Sequence, residues 1–290
     1  MIEVPPGTAF LTEARRSFHA ALIANGALAT SDTGVPSIAD GSSASSVAFA
    51  SGIMEQVAKE AVGARLAGQM AGNKFEIVVG EYLEETLPKL THIRPGKFQV
   101  AKGGTRLAIA ACEQYFHLSS LAEAVSTNAD LAVAIGMDYL IKPDVMVLRR
   151  PEPDEIINAS ELVVDDQYAS LTGVRLANSS LPLLHASVSC KWTMRSDRAQ
   201  NARSEALNLI RNRKGRLPHI VVVTGEPTPG RLASLALGTG DIDCVYHIAL
   251  NELREAVAAT KYTDSAELLD MMIEGRRLRD IADLPLDLAT

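Results

Sequence analysis

Between Thr8 and Asn25, apolar or small residues recur at Phe10, Leu11, Ala14, Phe18, Ala21 and Leu22, the spacing of one helical face, and Gly26 follows as a stop. This segment is predicted to be an amphipathic packing helix. Residues 31–46, SDTGVPSIADGSSASS, sustain neither helical nor strand period and read as a loop leading into helices over about 46–66, 72–87 and 115–135. The texture changes at Tyr139, where YLIKPDVMVLRR has the dense apolar character of a buried strand ending in charge. From Pro151 to Ser180 the chain is polar and irregular, an excursion from the core with a short strand expected at ELVV (161–164). LLHASVSCKW (183–192) is predicted as a strand, RAQNARSEALNLIRNRK (198–214) as a helix, and HIVVVTGEP (219–227) as a buried strand closed by turn residues. DCVYHIAL (243–250) is a further strand candidate. This order indicates an α/β fold, a central mixed β-sheet flanked by helices. With no internal repeat and no linker, residues 1–290 are expected to form one domain.

Composition narrows the function. At 290 residues, 47% hydrophobic and 22% charged, the chain is neither disordered nor fibrous. A net charge of -7 argues against indiscriminate coating of nucleic acid or anionic membrane, which needs a broad basic surface. No apolar stretch approaches the ~18 residues of a membrane span, and MIEVPPGTAF has no leader-like pattern, so a cytoplasmic protein is expected. Cys112, Cys190 and Cys244 are far apart, without ligand spacing to histidine, and are expected to be reduced thiols with no structural zinc. The stretch 191–216 nevertheless carries eight Lys or Arg against two acids, a focused basic site inside an acidic protein.

Strand alternation in SVSCKW sets Ser187, Ser189 and Lys191 on one face and Val188, Cys190 and Trp192 on the other. Asp144, at the head of the preceding strand, is an acid in an apolar run and has to be paired, protonated or metal-bound. Alone, such an acid is most often structural. With Lys191 on the next strand and Glu205 on the following helix, it forms the set that metal-assisted phosphodiester cleavage requires. Carboxylate oxygens suit Mg2+, and a lysine supplies positive charge beside an attacking water. On a helix beginning near Arg198, that residue and Glu205 share a stripe about 10 Å apart along the axis. The plainer alternative is a solvated basic helix capped by Asp197 and Gln200. Arg195, Asp197 and Arg198 have a sharper reading, because arginine forks grip guanine O6 and N7 while aspartate accepts from cytosine N4. Such a set suits a G·C-rich palindrome read by a twofold dimer.

PD at 143–144, SCK at 189–191, RSDRAQNARSE at 195–205 and RNRKGRLPHIVVVT at 211–224 together resemble the NgoMIV family of type II (IIF) restriction endonucleases, in the PD-(D/E)XK superfamily. The resemblance extends over nearly the whole chain. It is strongest over 182–240 and in RLRDIADLPLDLA, and weakest over the first nine residues and about 150–180. It implies a PD-(D/E)XK restriction-endonuclease-like core and Mg-dependent double-strand cleavage of GCCGGC by metal-activated water. The implied cut follows the first G and leaves a four-base 5′ overhang. Asp144 and the main-chain carbonyl of Cys190 would bind two Mg2+ ions per active site, with Glu205 completing the metal site and Lys191 positioning or helping to deprotonate the water. Ser189 stands where the superfamily motif has its second acid, a departure the family shares, and Glu205 would replace that carboxylate. Glu76, in GNKFE, matches a further acidic position.

The same resemblance assigns Arg195, Asp197 and Arg198 to the inner CCGG, Gln69 (in AGQMAG) to the minor groove, and Asp40 (in SIADG) with Arg231 (in EPTPGR) to the outer G·C pair. It also implies a homotetramer, a dimer of dimers, acting on double-stranded DNA, and a cognate DNA methyltransferase in the host. Competing readings are a PD-(D/E)XK nuclease with another CCGG-containing target and a sequence-specific DNA-binding protein without catalysis. A hydrolase of small phosphoesters is disfavoured by the Arg-Asp-Arg reader. GTGDID (238–243) lacks the glycine spacing of a nucleotide-binding turn, and no phosphate-loop motif occurs. His185, His219 and His247 read as hydrogen-bonded structural residues, and Trp192 as core.

Overall fold

Val145, Val147, Val188, Val223 and Val245 are wholly buried. The strands that carry them therefore show apolar runs in place of alternation, since a strand covered on both faces has no solvent side to mark with polar residues. The computed structural model describes residues 2, 4–57, 68–103, 108–135, 141–194, 196–238 and 240–290, with the side chains of 68–70, 135 and 196–198 outside that description. Its sheet has six strands in chain order: β1 (Phe98–Lys102), β2 (Val145–Arg149), β3 (Leu183–Lys191), β4 (His219–Thr224), β5 (Cys244–His247) and β6 (Leu278–Asp280). The first three pair antiparallel and the last four parallel, so the sheet is mixed as expected.

Flanking the sheet are α1 (Phe10–Ala24), α2 (Ala44–Val57), α3 (Gly68–Thr86), α4 (His117–Ser126), α5 (Ala129–Ile135), α6 (Asp154–Ile157), α7 (Ser196–Asn212), α8 (Pro229–Ala236), α9 (Leu250–Ala258), α10 (Thr263–Glu274) and α11 (Leu284–Leu288). α7 is the crossover that a parallel β3–β4 pair requires. α3 packs against α1 and over β1 to β3, and α2 packs against α9. Phe75 on α3 meets Trp192 edge-on, with ring centroids 5.0 Å apart, which places Trp192 in the core as expected. Gly26 after α1 has φ +76°, a left-handed turn that glycine takes without strain. Arg15 fastens α1 to the far end of the chain through Glu252 (2.8 and 2.5 Å) and Asp280 (2.8 Å to each oxygen).

Several expectations are corrected. Residues 161–164 form no strand. Asn158 Oδ1 accepts from Val163 N–H and Val164 N–H, both at 2.9 Å, and its amide donates to Val164 O at 3.0 Å, so local bonds satisfy the groups a ladder would have used. The helix expected over 115–135 is divided, because Asn128 Oδ1 accepts from Leu131 N–H and starts α5 anew. The strand expected over 243–250 ends at His247, and Leu250 opens α9. The helix expected to 66 is seen to Val57, and residues 58–66 and 139–140 lie outside the described residues. His185 and His247 are hydrogen-bonded, Nε2 to Leu288 O at 2.6 Å and Nδ1 accepting from Ala249 N–H at 3.0 Å. His219 Nε2, like His247 Nε2, is buried without a hydrogen-bond partner among the described residues, and the His219 ring packs edge-on against His185.

Candidate active site

Because β2 and β3 run antiparallel, with Val145 opposite Val188, the head of β2 lies beside the C-terminal end of β3. Three donors from β3 converge there on Asp144 Oδ2: Cys190 N–H at 2.7 Å, Lys191 Nζ at 3.2 Å and the Ser189 hydroxyl at 3.5 Å. α7 then carries Glu205 back to the same place, its Oε2 3.5 Å from Ser189 Oγ and 3.9 Å from Lys191 Nζ. The strand, helix, strand connection thus brings Asp144, Ser189, Lys191 and Glu205 together, four residues that the sequence had singled out.

The electrostatics are those of a cluster of acids around the Lys191 ammonium. Burial opposes the Lys191 charge, but Asp144 and Glu205 outweigh it and hold the ammonium above the ordinary lysine range. Burial raises the Glu205 carboxyl against the pull of Lys191, and the Asp144 charge adds to the rise. Glu76, on α3, is also raised, first by burial and then by Asp144, with Lys191 and Lys142 opposing. Lys142 drew no notice in the sequence, although it stands two residues before Asp144. The Cys190 thiol is buried, and its pKa is driven well up, so it is neutral and no nucleophile. All three cysteines are free and buried.

The donors present fit a hard divalent cation. Glu205 and Glu76, which burial and the neighbouring Asp144 charge push toward protonation, are groups that a cation would return to the charged form. Among the described residues, no three His, Cys, Asp or Glu side chains stand at metal-ligating spacing. A cation here could draw on the Asp144 and Glu205 carboxylates, with the remaining oxygens coming from water and substrate, a pattern that suits Mg2+.

The residues assigned to DNA reading divide into two groups. Asp40 and Arg231, 191 positions apart, are brought together as an ion pair of 2.5 Å. Asp40 also accepts from the Ser42 hydroxyl at 2.7 Å and the Ser42 N–H at 3.1 Å, and with Arg231 these bonds hold its carboxyl well below the usual range. Arg195 lies outside the described residues. Asp197 and Arg198 stand in the first turn of α7, and Gln69 in the first turn of α3, with their side chains outside the description. Sequence reasoning passed over Glu226, which is 0% exposed and accepts from Met194 N–H at 2.8 Å and Thr228 N–H at 3.0 Å. Its signal was an acid placed directly after a buried strand, in TGEPTP.

Comparison with known proteins supplies the context. Residues 18–290 match the family model described as NgoMIV restriction enzyme. The chain is 53% identical over 280 residues to the type II restriction enzyme NgoMIV of Neisseria gonorrhoeae, an alignment covering 96% of this chain and 98% of that protein.

Proposed function

Since the chain belongs to the NgoMIV restriction enzyme family and is a type II restriction enzyme, a site-specific nuclease acting on DNA, we propose that it cleaves both strands of GCCGGC. The cut falls after the first G and leaves a four-base 5′ overhang with 5′-phosphate and 3′-hydroxyl ends. The observation that carries this reading is the junction of Lys191 with both Asp144 and Glu205 at the end of β3. The segment assigned to the inner bases, 195–198, lies between Lys191 and Glu205 along the chain.

In this reading the site is a PD-(D/E)XK centre with Ser189 in the place of the second acid, and residues 1–290 act as one restriction-endonuclease-like domain. Asp144, Glu205 and the Cys190 carbonyl would hold Mg2+, two ions per site, and Glu76 would support them. When bound, Mg2+ supplies charge against the negative phosphate and acidifies water at the site. Lys191 stays protonated beside Asp144, so it orients the attacking water and offsets phosphate charge more readily than it accepts a proton. Ser189, within 3.5 Å of both carboxylates, positions them relative to each other. Arg195, Asp197 and Arg198 read the inner CCGG and Gln69 the minor groove, while Asp40 with Arg231 reads the outer G·C pair.

The assembly in this reading is a homotetramer, a dimer of dimers, with a cognate methyltransferase guarding host DNA. What supports self-association is the excursion before β3, where Leu162, Tyr168 and Leu171 are 79%, 78% and 94% exposed. No helix among the described residues is long and apolar enough to cross a membrane.

The test is digestion of a plasmid carrying two GCCGGC sites, with and without Mg2+, followed by sequencing of the ends. Cuts confined to that sequence and dependent on the metal are expected. Cleavage at other CCGG-containing sites would replace the target and keep the nuclease, and specific binding without cutting in Mg2+ would remove the catalytic assignment.

A further inference from the structure

We propose that Glu226 is a positioning residue for sequence discrimination, a buried clamp that sets the outer-pair reader against the inner-pair reader. The proposal rests on the target reading above. Glu226 follows β4, whose last residue, Thr224, is the sheet partner of Lys191, so it stands at the end of the sheet that carries the catalytic residues. Its two carboxylate oxygens take donors from different segments. Oε2 accepts from the N–H of Met194, the residue just ahead of the Arg195, Asp197 and Arg198 segment, and lies 3.7 Å from Arg231 Nη1. Oε1 accepts from the N–H of Thr228, one residue before α8, the helix that bears Arg231. Arg231 in turn holds Asp40.

The neighbouring backbone packs closely at the same junction. A Cβ on Gly225 would come within 3.1 Å of Ile38 and of Ile248 and 3.2 Å of the Trp192 carbonyl, so the Asp40 loop, the exit of β3 and the exit of β4 converge where a larger residue would press its neighbours aside by a few tenths of an ångström. Gly225 N–H donates to that carbonyl at 3.2 Å, and Thr224 Oγ1 accepts from Glu226 N–H at 3.1 Å. A fully buried acid would be a liability in an apolar core, and among the described residues this one accepts from the Met194 and Thr228 N–H groups, which flank the two reading segments. A carboxylate can accept at both oxygens at once, whereas an amide of the same shape accepts at one and donates at the other. Glu226→Gln must therefore release either Met194 N–H or Thr228 N–H and let one reader shift against the other.

The experiment measures single-turnover cleavage of GCCGGC and of the three other NCCGGN palindromes by the full-length wild type, Glu226→Gln and Glu226→Asp. Melting curves are recorded on the same preparations. Expected is a fall of about tenfold or more in the preference for GCCGGC over the other outer pairs in Glu226→Gln, with a smaller fall in the rate at GCCGGC itself. Glu226→Asp keeps the charge with a shorter reach and is expected to retain more of the preference. If the variants melt as folded proteins and lose rate equally on all four substrates, the clamp is only structural and the proposal fails. Failure of both variants to fold assigns Glu226 to stability and overturns it as well. A wild type that ignores the outer pair would sink the target reading and the proposal with it, whereas a discriminating wild type with unchanged variants sinks the proposal alone.

Discussion

At Lys191 two tendencies compete, burial against the ammonium and two carboxylates for it, and the carboxylates prevail. The side chain is therefore a fixed positive charge between Asp144 and Glu205, both of which lie within 4 Å of it. Removing it takes from Asp144 and Glu205 the cation within 4 Å of both. Lys191→Ala is expected to lower the cleavage rate by roughly 100-fold or more while leaving DNA binding in Ca2+ within a few-fold, as read by quenched-flow cleavage beside a filter-binding titration. A variant that cuts at the normal rate would exclude Lys191 from the chemistry. The reach of sequence reasoning is clearest at this scale. Asp144 and Lys191 were legible because charges stand out in apolar strands, and Glu205 because the helix that follows sets it on the stripe of Arg198. Glu226 was not, since an acid at a strand end looks like an ordinary turn residue until its donors are known.

At the scale of elements, the link between α1 and the chain's end offers a separate test. Arg15, Glu252 and Asp280 are mostly buried and bonded to one another, so a lone partner would be left as an unpaired charge. Arg15→Met is expected to cost about 3–5 kcal/mol of unfolding free energy near neutral pH, measured by urea denaturation. The sign with pH follows from Glu252. Burial would raise its carboxyl, but the Arg15 hydrogen bond and charge outweigh that and bring it below the ordinary value. A lowered carboxyl pKa contributes stability above the unfolded-state value, near 4.3, and loses it as pH falls through the folded value. The deficit of the variant is therefore expected to shrink in acid, and a deficit that grew on acidification would contradict the assignment. The core strands were readable as apolar runs and α1 from its helical period. β6, three residues long, is too short to show a period, and β1 (FQVAK) lies where nothing apolar flanks it strongly. The ELVV segment misled because its β-branched residues match a strand, while Asn158 supplies the competing local bonds.

For the whole molecule, the net charge is acidic while the stretch 191–216 is basic, a contrast that under the proposed function concentrates the attraction for DNA at the site. The excursion before β3 is held in shape by Arg175, which is bonded to Asp154 at 2.7 and 2.6 Å and to Asp165 O at 2.8 Å, yet it presents apolar side chains to solvent. Leu162→Asp with Leu171→Asp is expected to convert a four-chain particle into a two-chain one by light scattering, with the melting temperature little changed. A particle of unaltered mass would place the dimer-to-dimer contact elsewhere.

The short path from Ser189 to Glu205 bears on how such an enzyme can be redesigned. Seventeen consecutive residues hold the lysine, the segment assigned to the inner bases and the returning acid, threaded through one strand and one helix. Nucleases assembled from a separate cutting module and reading module accept a new target by exchange of parts. This chain offers no seam for such an exchange, because a replacement of 195–198 that moves the start of α7 also moves Glu205. Retargeting would have to proceed by selecting cleavage and recognition together.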